Sequence, residues 1–448
     1  MRAMLKKIEI ENFKSLEDCS IELRSFSVLV GPNASGKTNL VDLFKLLGKI
    51  YADGEPFPFL DWWGYDNVVW DRKEEVPITV KLFFELAGYN FSFETVFTGV
   101  GGRFQILKEA FEMEGFLTLE RKGEWLRVRH DEKFLEDAWE KIQGMDERDS
   151  SFRKLLERRK EDLLEQSVRV HKVKSPYCVF EDAELEDSMN NLALVLIEDE
   201  RQTQRYPMFI LEPSIETEIK YEEEEELKFE QPLSEYAEWK IRKFIENITI
   251  LKGLDIRKMK EPYKQRREVL ISEDGSNVCN ILYNLFLEEN KIPDRIDSLM
   301  SYIFPDTSLR FELTQDGRVL MKVFERYASG RLLELYPPQI SDGFYKALTL
   351  LTALESEPSL LVVDEVENSL HAKALELLID ELKMSECMTI LTTHSPMVVD
   401  IVEPKDLILV EKGDEGTVFR RTEKPEEVRK ELSERGITLS ERWLYGKL

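Results

Sequence analysis

Four short stretches combine residue types and spacings that can do chemistry. The first is GPNASGKTN, Gly31 to Asn39. Gly31 and Gly36 flank four residues, and Lys37 and Thr38 follow at once, which is the full spacing of a phosphate-binding loop. The glycines let the backbone curl so that its N–H groups point inward at phosphate oxygens. A helix starting near Gly36 adds its positive dipole end. Lys37 would reach the β- and γ-phosphates, and Thr38 would hold Mg2+. Gly31, Pro32, Asn33, Ala34, Ser35, Gly36, Lys37, Thr38 and Asn39 form the expected nucleotide cradle.

The second stretch is LLVVDEVENSL, residues 360–370. An apolar strand ending in Asp364-Glu365 places one acid to orient Mg2+ through water, and the next to polarise an attacking water. The third, LTTHSP, ends another apolar run at His394. That is where open α/β sheets bind ligands. His394 reads there as a γ-phosphate sensor, with a surface or capping role as the plainer alternative. The fourth is QISDGFYKALTLLTAL, residues 339–354. Ser341, Gly343 and a helix start make another anion-binding device. By local physics Ser341 or Asp342 simply caps the helix. The device becomes functional only if it faces a nucleotide bound on a second copy.

The elements that must position these residues follow from periodicity. LKKIEIENF (5–13), CSIEL (19–23) and SFSVLVG (25–31) read as strands, the last one buried. Gly36 to Leu47 reads as a helix with Leu40, Leu43, Phe44 and Leu47 on one stripe. ITVKLFFEL and YNFSFETVF alternate with period two around Ala87-Gly88, a hairpin pattern, and two more strands are expected before residue 130. From 131 to about 170 the pattern is helical and charged, as in SFRKLLERRKEDLLEQ, without sustained heptads. Residues 180–230 are acidic, 233–303 read as helices, and strands return from 309.

Composition narrows the classes. Of 448 residues, 42% are hydrophobic and 33% charged, a globular balance. No apolar run approaches the ~18 residues that span a membrane, and the first eleven residues lack the apolar core of a signal peptide. Cys19, Cys178, Cys279 and Cys387 are far apart, which points to no disulfide framework and to a reducing cytoplasm. A net charge of −26 repels phosphate backbones, so nucleic-acid contact needs a local basic patch.

The order of the four stretches resembles the ABC-type ATPases of the SMC/RecF/OLD-like AAA group. The opening IEIENFKSL (8–16) and DGSNVCNILYNL (274–285) are also similar to that group, and the likeness covers about residues 1–100 and 270–448. It looks closest to single-chain ATPases with a modest insertion and no Toprim nuclease domain, for which the 54 residues after His394 are too few. The implied fold is an α/β P-loop NTPase with an ABC/SMC-type head, a mixed sheet plus an antiparallel β-lobe, and a helical insertion. The expected division is 1–130 (phosphate loop and β-lobe), 131–305 (mainly helical, charged) and 306–448 (signature, acidic strand, histidine).

The resemblance implies two ATP molecules buried between two copies. Gly31, Asn33, Gly36, Lys37 and Thr38 would hold one nucleotide, with Lys14 approaching its phosphates. Asp364 would help hold Mg2+, Glu365 would be the general base, and His394 would sense the γ-phosphate. Ser341, Asp342 and Gly343 of the other copy would close over it, and Asn368, Ser369, Leu370 and His371 would lie at the dimer contact. Two departures stand out. The signature carries Asp342 where a small residue is usual, a repulsive group unless it turns away to cap the helix. No glutamine occurs between Met1 and Phe104, so the metal's extra ligand is missing or replaced. The implied activity is ATP hydrolysis in a homodimer, coupled to nucleic-acid processing, repair or anti-phage defence, with a separate nuclease or toxin as effector. The alternative is a nucleotide-gated scaffold with little turnover.

Further features are open. RKMKEPYKQRRE (257–268) gathers six basic residues, for DNA or RNA phosphates or for ion pairs with the acidic insertion. The aromatic segment 57–70 reads as partly buried core, with a partner surface or base-stacking platform as the alternative. Glu222–Glu226 and the mixed face of Arg153, Lys154, Arg158, Arg159 and Lys160 read as solvated.

Overall fold

The computed structural model describes residues 2–123, 125–133, 165–169, 214–220, 226–422 and 424–445. They form two compact units. One holds Met1–Ser20 and Lys49–Glu246, the other Ile21–Gly48 and Asn247–Leu448.

The first unit is an antiparallel lobe. Its eight-stranded sheet runs β2-β1-β4-β5-β6-β7-β8-β9. The strands are β1 (Met4–Phe13), β2 (Leu16–Glu22), β4 (Ile78–Leu86), β5 (Tyr89–Thr98), β6 (Gln105–Met113), β7 (Leu117–Lys122), β8 (Trp125–His130) and β9 (Glu165–Arg169). The β4–β5 hairpin closes on Ala87 and Gly88, both at positive φ (54° and 84°), as a two-residue turn matched to strand twist requires. Three strands rather than two lie between Gln105 and His130. The helical reading of 151–166 lies outside the described residues except at Glu165 and Gln166, which are extended. The mixed face from Arg153 to Lys160, Glu222–Glu225 and Cys178 also lie outside them. The aromatic segment divides: Phe59 and Tyr65 are buried over Gly99, whereas Phe57 and Trp63 are exposed, Trp63 at 91%.

The second unit is built on a six-stranded mixed sheet, β12-β16-β17-β3-β18-β19. Its strands are β3 (Phe26–Val30), β12 (Ile248–Leu251), β16 (Leu360–Val363), β17 (Met388–Thr393), β18 (Leu407–Lys412) and β19 (Thr417–Arg421). Five run parallel and β19 returns antiparallel. β3 and β16 are buried along their whole length and read as continuous apolar runs because both faces are covered. The helix Asp342–Glu355 is buried from Phe344 to Leu354, so it is a central core helix rather than an amphipathic one. Helices Val278–Glu289 and Asp294–Ile303 place Leu282, Ile296 and Met300 in the same core. The stretch from Asn247 to 305, expected to belong with the insertion, therefore packs within the sheet unit. Its charged solvent side hides this from a composition reading. A three-stranded sheet, β13 (Thr307–Leu313), β14 (Val319–Arg326) and β15 (Leu332–Leu335), completes the unit. Among the described residues no helix is long and apolar enough to cross a membrane.

Candidate functional site

Strand register brings three of the four stretches to one end of the sheet. Thr393 of β17 pairs with Val30 of β3, so His394 and Gly31 leave adjacent strands side by side. Val363 of β16 pairs with Leu391 and with Leu251 of β12, so Asp364, Thr392 and Lys252 leave together. β17 lies between the loop strand and the acidic strand and delivers both Thr392 and His394.

The loop itself requires its glycines. A Cβ on Gly31 would stand 2.1 Å from the Val410 carbonyl oxygen. Gly36, at φ 107°, would meet the Thr417 hydroxyl at 2.1 Å. That hydroxyl donates to the Ser35 carbonyl at 3.0 Å and pins the loop to β19. Lys37 Nζ donates to the Gly31 and Pro32 carbonyls at 2.8 and 2.9 Å, so the ammonium curls back over its own loop. Burial lowers the Lys37 pKa, and the charges of Asp364, Glu365 and Glu367 oppose that shift. Those three acids and the loop lysine thus share one electrostatic field.

Thr392 organises the acids. Its hydroxyl donates to Asp364 Oδ1 at 2.5 Å and accepts the Glu365 N–H at 2.9 Å. Burial pushes the Asp364 carboxyl up, while the Thr392 hydroxyl and Lys252 pull it down. Glu365 sits at φ 51°, a left-handed turn, and its Oε2 accepts from Asn368 Nδ2 at 2.7 Å. Glu367 Oε1 accepts the His394 backbone N–H at 3.1 Å and lies 3.3 Å from His394 Nδ1. A carboxylate on Nδ1 orients the ring and leaves Nε2 on the opposite side for a ligand. Lys252 Nζ donates to Asp42 Oδ1 at 2.5 Å, which ties β12 to the helix Lys37–Tyr51.

The fourth stretch adopts its expected cap and departs in one respect. Ser341 Oγ accepts the Phe344 N–H at 3.3 Å and is the N-cap. Asp342 does not cap. Its carboxylate pairs with Lys260 Nζ at 2.9 Å because the hydroxyl one residue earlier already occupies the cap position. A Cβ on Gly343 would stand 2.6 Å from the Ser369 carbonyl oxygen, so this helix start abuts the loop after the acids. In that loop Asn368, Ser369 and His371 are exposed and Leu370 is half-buried. Lys14 belongs to the antiparallel lobe, at φ 50°, with its ammonium 5.1 Å above the Trp62 ring.

The basic island is partly spent on ion pairs. Lys258 pairs with Asp274 at 2.8 Å and Lys260 with Asp342. These acids belong to the sheet unit rather than to the 180–230 segment. Lys264, Arg266 and Arg267 are exposed. Thr392, Glu367, Lys252 and Asp42 were not singled out by sequence reasoning. The second threonine ahead of His394 and the third acid in DEVE were the available signals.

The residues fit a nucleotide with a hard cation. Ser35 Oγ is buried without a hydrogen-bond partner, and Gly31 and Gly36 let the loop pack against Val410 and Thr417 where a Cβ would clash. Among the described residues no three His, Cys, Asp or Glu side chains form a metal cage. Thr38 and Asp364 match an ion such as Mg2+ that takes one or two protein oxygens, substrate phosphates and water.

A family model described as "AAA domain, putative AbiEii toxin, Type IV TA system" matches residues 26–400, a span that includes all four stretches. The chain belongs to this AAA-domain family. It is similar to the chromosome partition protein Smc of Methanocaldococcus jannaschii, 48% identical over 50 residues, covering 11% of this chain and 4% of that one. It is also similar to the OLD nuclease of Thermus scotoductus, 32% identical over 78 residues, covering 17% of this chain and 14% of that one. The chain thus spans only a small part of the curated relatives it matches. A solved Smc head domain from Pyrococcus furiosus, bound to the C-terminal domain of ScpA, aligns over 96% of this chain and 99% of its own. It is 15% identical with a TM-score of 0.44. The fold assignment, an α/β P-loop ATPase head of the SMC/RecF/OLD-like class, rests on the strand order and the family match.

Proposed function

We propose that this protein binds ATP with Mg2+ and hydrolyses it in a head-to-head homodimer. The observation that carries this reading is the Thr392-bridged pair Asp364–Glu365, in one electrostatic field with Lys37. The 31–39 loop would cradle the phosphates through backbone amides, and Lys37 would leave its carbonyl partners to meet the β- and γ-oxygens. Thr38 and Asp364 would hold Mg2+, which when bound neutralises developing phosphate charge. Glu365 would accept a proton from the attacking water, and Nε2 of His394 would contact the γ-phosphate. Ser341 and Gly343 of a second copy would close over that phosphate, with Asn368 to His371 at the contact.

The output is proposed to fall on nucleic acid through Lys264, Arg266 and Arg267, or on a separate nuclease or toxin chain. The toxin–antitoxin setting in the family description and the OLD-type relative support a defence role. The buried free thiol of Cys279 supports a reducing, cytoplasmic setting. The Asn368 bond to Glu365 favours a second reading, a nucleotide-gated scaffold whose base is held at rest. Phosphate release from ATP by the wild type and Lys37→Ala separates the two. Turnover abolished by the substitution supports hydrolysis; ATP binding without release in the wild type supports the scaffold.

A further inference from the structure

Lys346 is 5% exposed on the helix Asp342–Glu355, a burial that lysine rarely accepts without partners. Its Nζ stands 3.5 Å from the Glu365 carbonyl oxygen, the outer reach of a hydrogen bond. Burial pushes the ammonium down to about 8, and the charges of Glu367, Asp364 and Glu365 act against that. The same helix meets the same loop a second time, where Gly343 abuts the Ser369 carbonyl. A cavity of about 360 Å3 is lined by Leu254, Lys346, Asp364, Glu365, Asn368 and Ser369. The loop turns through left-handed conformations at Glu365 (φ 51°) and Ser369 (φ 63°), which non-glycine residues hold only where their surroundings over-determine them.

We propose that Lys346 is a positioning residue for Glu365. By holding the Glu365 carbonyl it fixes the left-handed turn that aims the Glu365 carboxylate. Together with the Gly343–Ser369 contact, it ties the start of the signature helix to the base-bearing loop of the same chain. In the dimer, Ser341 and Gly343 of this chain would face the other copy's nucleotide, while Glu365 would face its own. Engagement of the one would then be felt at the other, which couples the two sites through Lys346 and the Gly343–Ser369 contact. The inference rests on the ATPase reading above and deepens it.

The test compares wild type, Lys346→Met and Lys346→Arg in steady-state ATP turnover, with hydrogen exchange of segment 364–371 measured in nucleotide-free protein. Lys346→Met removes a buried charge and keeps the stem, so it is expected to fold, and its melting temperature verifies this. The expected result is a kcat at least tenfold lower with KM within twofold, and faster exchange across 364–371. Lys346→Arg is expected to restore most of the turnover. A Lys346→Met protein with wild-type kcat and wild-type protection of 364–371 overturns the proposal. A wild type that does not hydrolyse ATP overturns the ATPase reading instead, and the exchange result then decides the tie alone.

Discussion

Thr392 of β17 donates its hydroxyl hydrogen at 2.5 Å to Asp364, 28 positions away at the end of the neighbouring parallel strand β16. The same oxygen accepts the Glu365 N–H, so one fully buried side chain sets both acids. Thr392→Val keeps the shape and removes the hydroxyl. The lost bonds leave a buried N–H unsatisfied, a cost of about 1–3 kcal/mol read as a lower melting temperature. ATP turnover is expected to fall by roughly ten- to a hundredfold, the usual scale for a residue that orients metal-site ligands. Turnover equal to wild type removes Thr392 from the account.

The Lys260–Asp342 pair is half in solvent, so its worth to stability is about 0–1 kcal/mol. Its expected effect is on association. Lys260→Ala leaves Asp342 unneutralised at a helix start proposed to face a phosphate. Nucleotide-dependent dimerisation should weaken about tenfold, or about 1.4 kcal/mol. Asp342→Asn in the same chain should restore it. Unaltered association of the single variant, measured by sedimentation with ATP, contradicts the proposed placement of Asp342.

Lys264, Arg266 and Arg267 carry the nucleic-acid proposal, because Lys258 and Lys260 are already paired. Reversing the three to glutamate should abolish retention of DNA or RNA in a mobility-shift assay. It should also reduce the slope of log affinity against log salt by about three. Equal retention by the variant assigns these residues to the solvated surface.

Much of the site was legible because its signals are local. Glycine spacing, an apolar run ending in acids and a histidine after the next strand are written in single short stretches. What escaped depends on register between distant segments. Thr392 matters only because β17 lies beside β16, and Lys252 meets Asp42 across 210 residues of chain. Lys346 was not singled out, because a burial that covers its helix from Phe344 to Leu354 depends on what packs around it. Chain order also concealed the division in space, since β1 and β2 join the antiparallel lobe while β3, a few residues later, is central to the other sheet. In the aromatic segment, short 3-10 turns carry no long period, so exposed Trp63 and buried Phe59 could not be told apart.

Glu403 provides a test of acid stability. Hydrogen bonds from Lys383 at 2.6 Å and the nearby Lys405 ammonium hold its carboxyl at about 2, from an ordinary 4.5. The folded pKa is depressed, so the stabilisation is present above about pH 4.5 and is lost as pH falls through 2. Glu403→Gln should lower stability at pH 7 by about 1 kcal/mol and flatten the loss between pH 4.5 and 2 in urea titrations. A variant with the wild-type pH profile contradicts this assignment.

One nucleotide site is proposed to be completed by a second copy of the same chain. Glu365→Gln keeps the size and hydrogen bonding of the side chain and removes the proposed base, so bound ATP should persist. Light scattering on a sizing column, with ATP and Mg2+ and then without, measures the consequence. The expected result is a stable dimer with ATP and a monomer without it. A Glu365→Gln protein that binds ATP and remains a monomer at every ATP concentration contradicts the composite site.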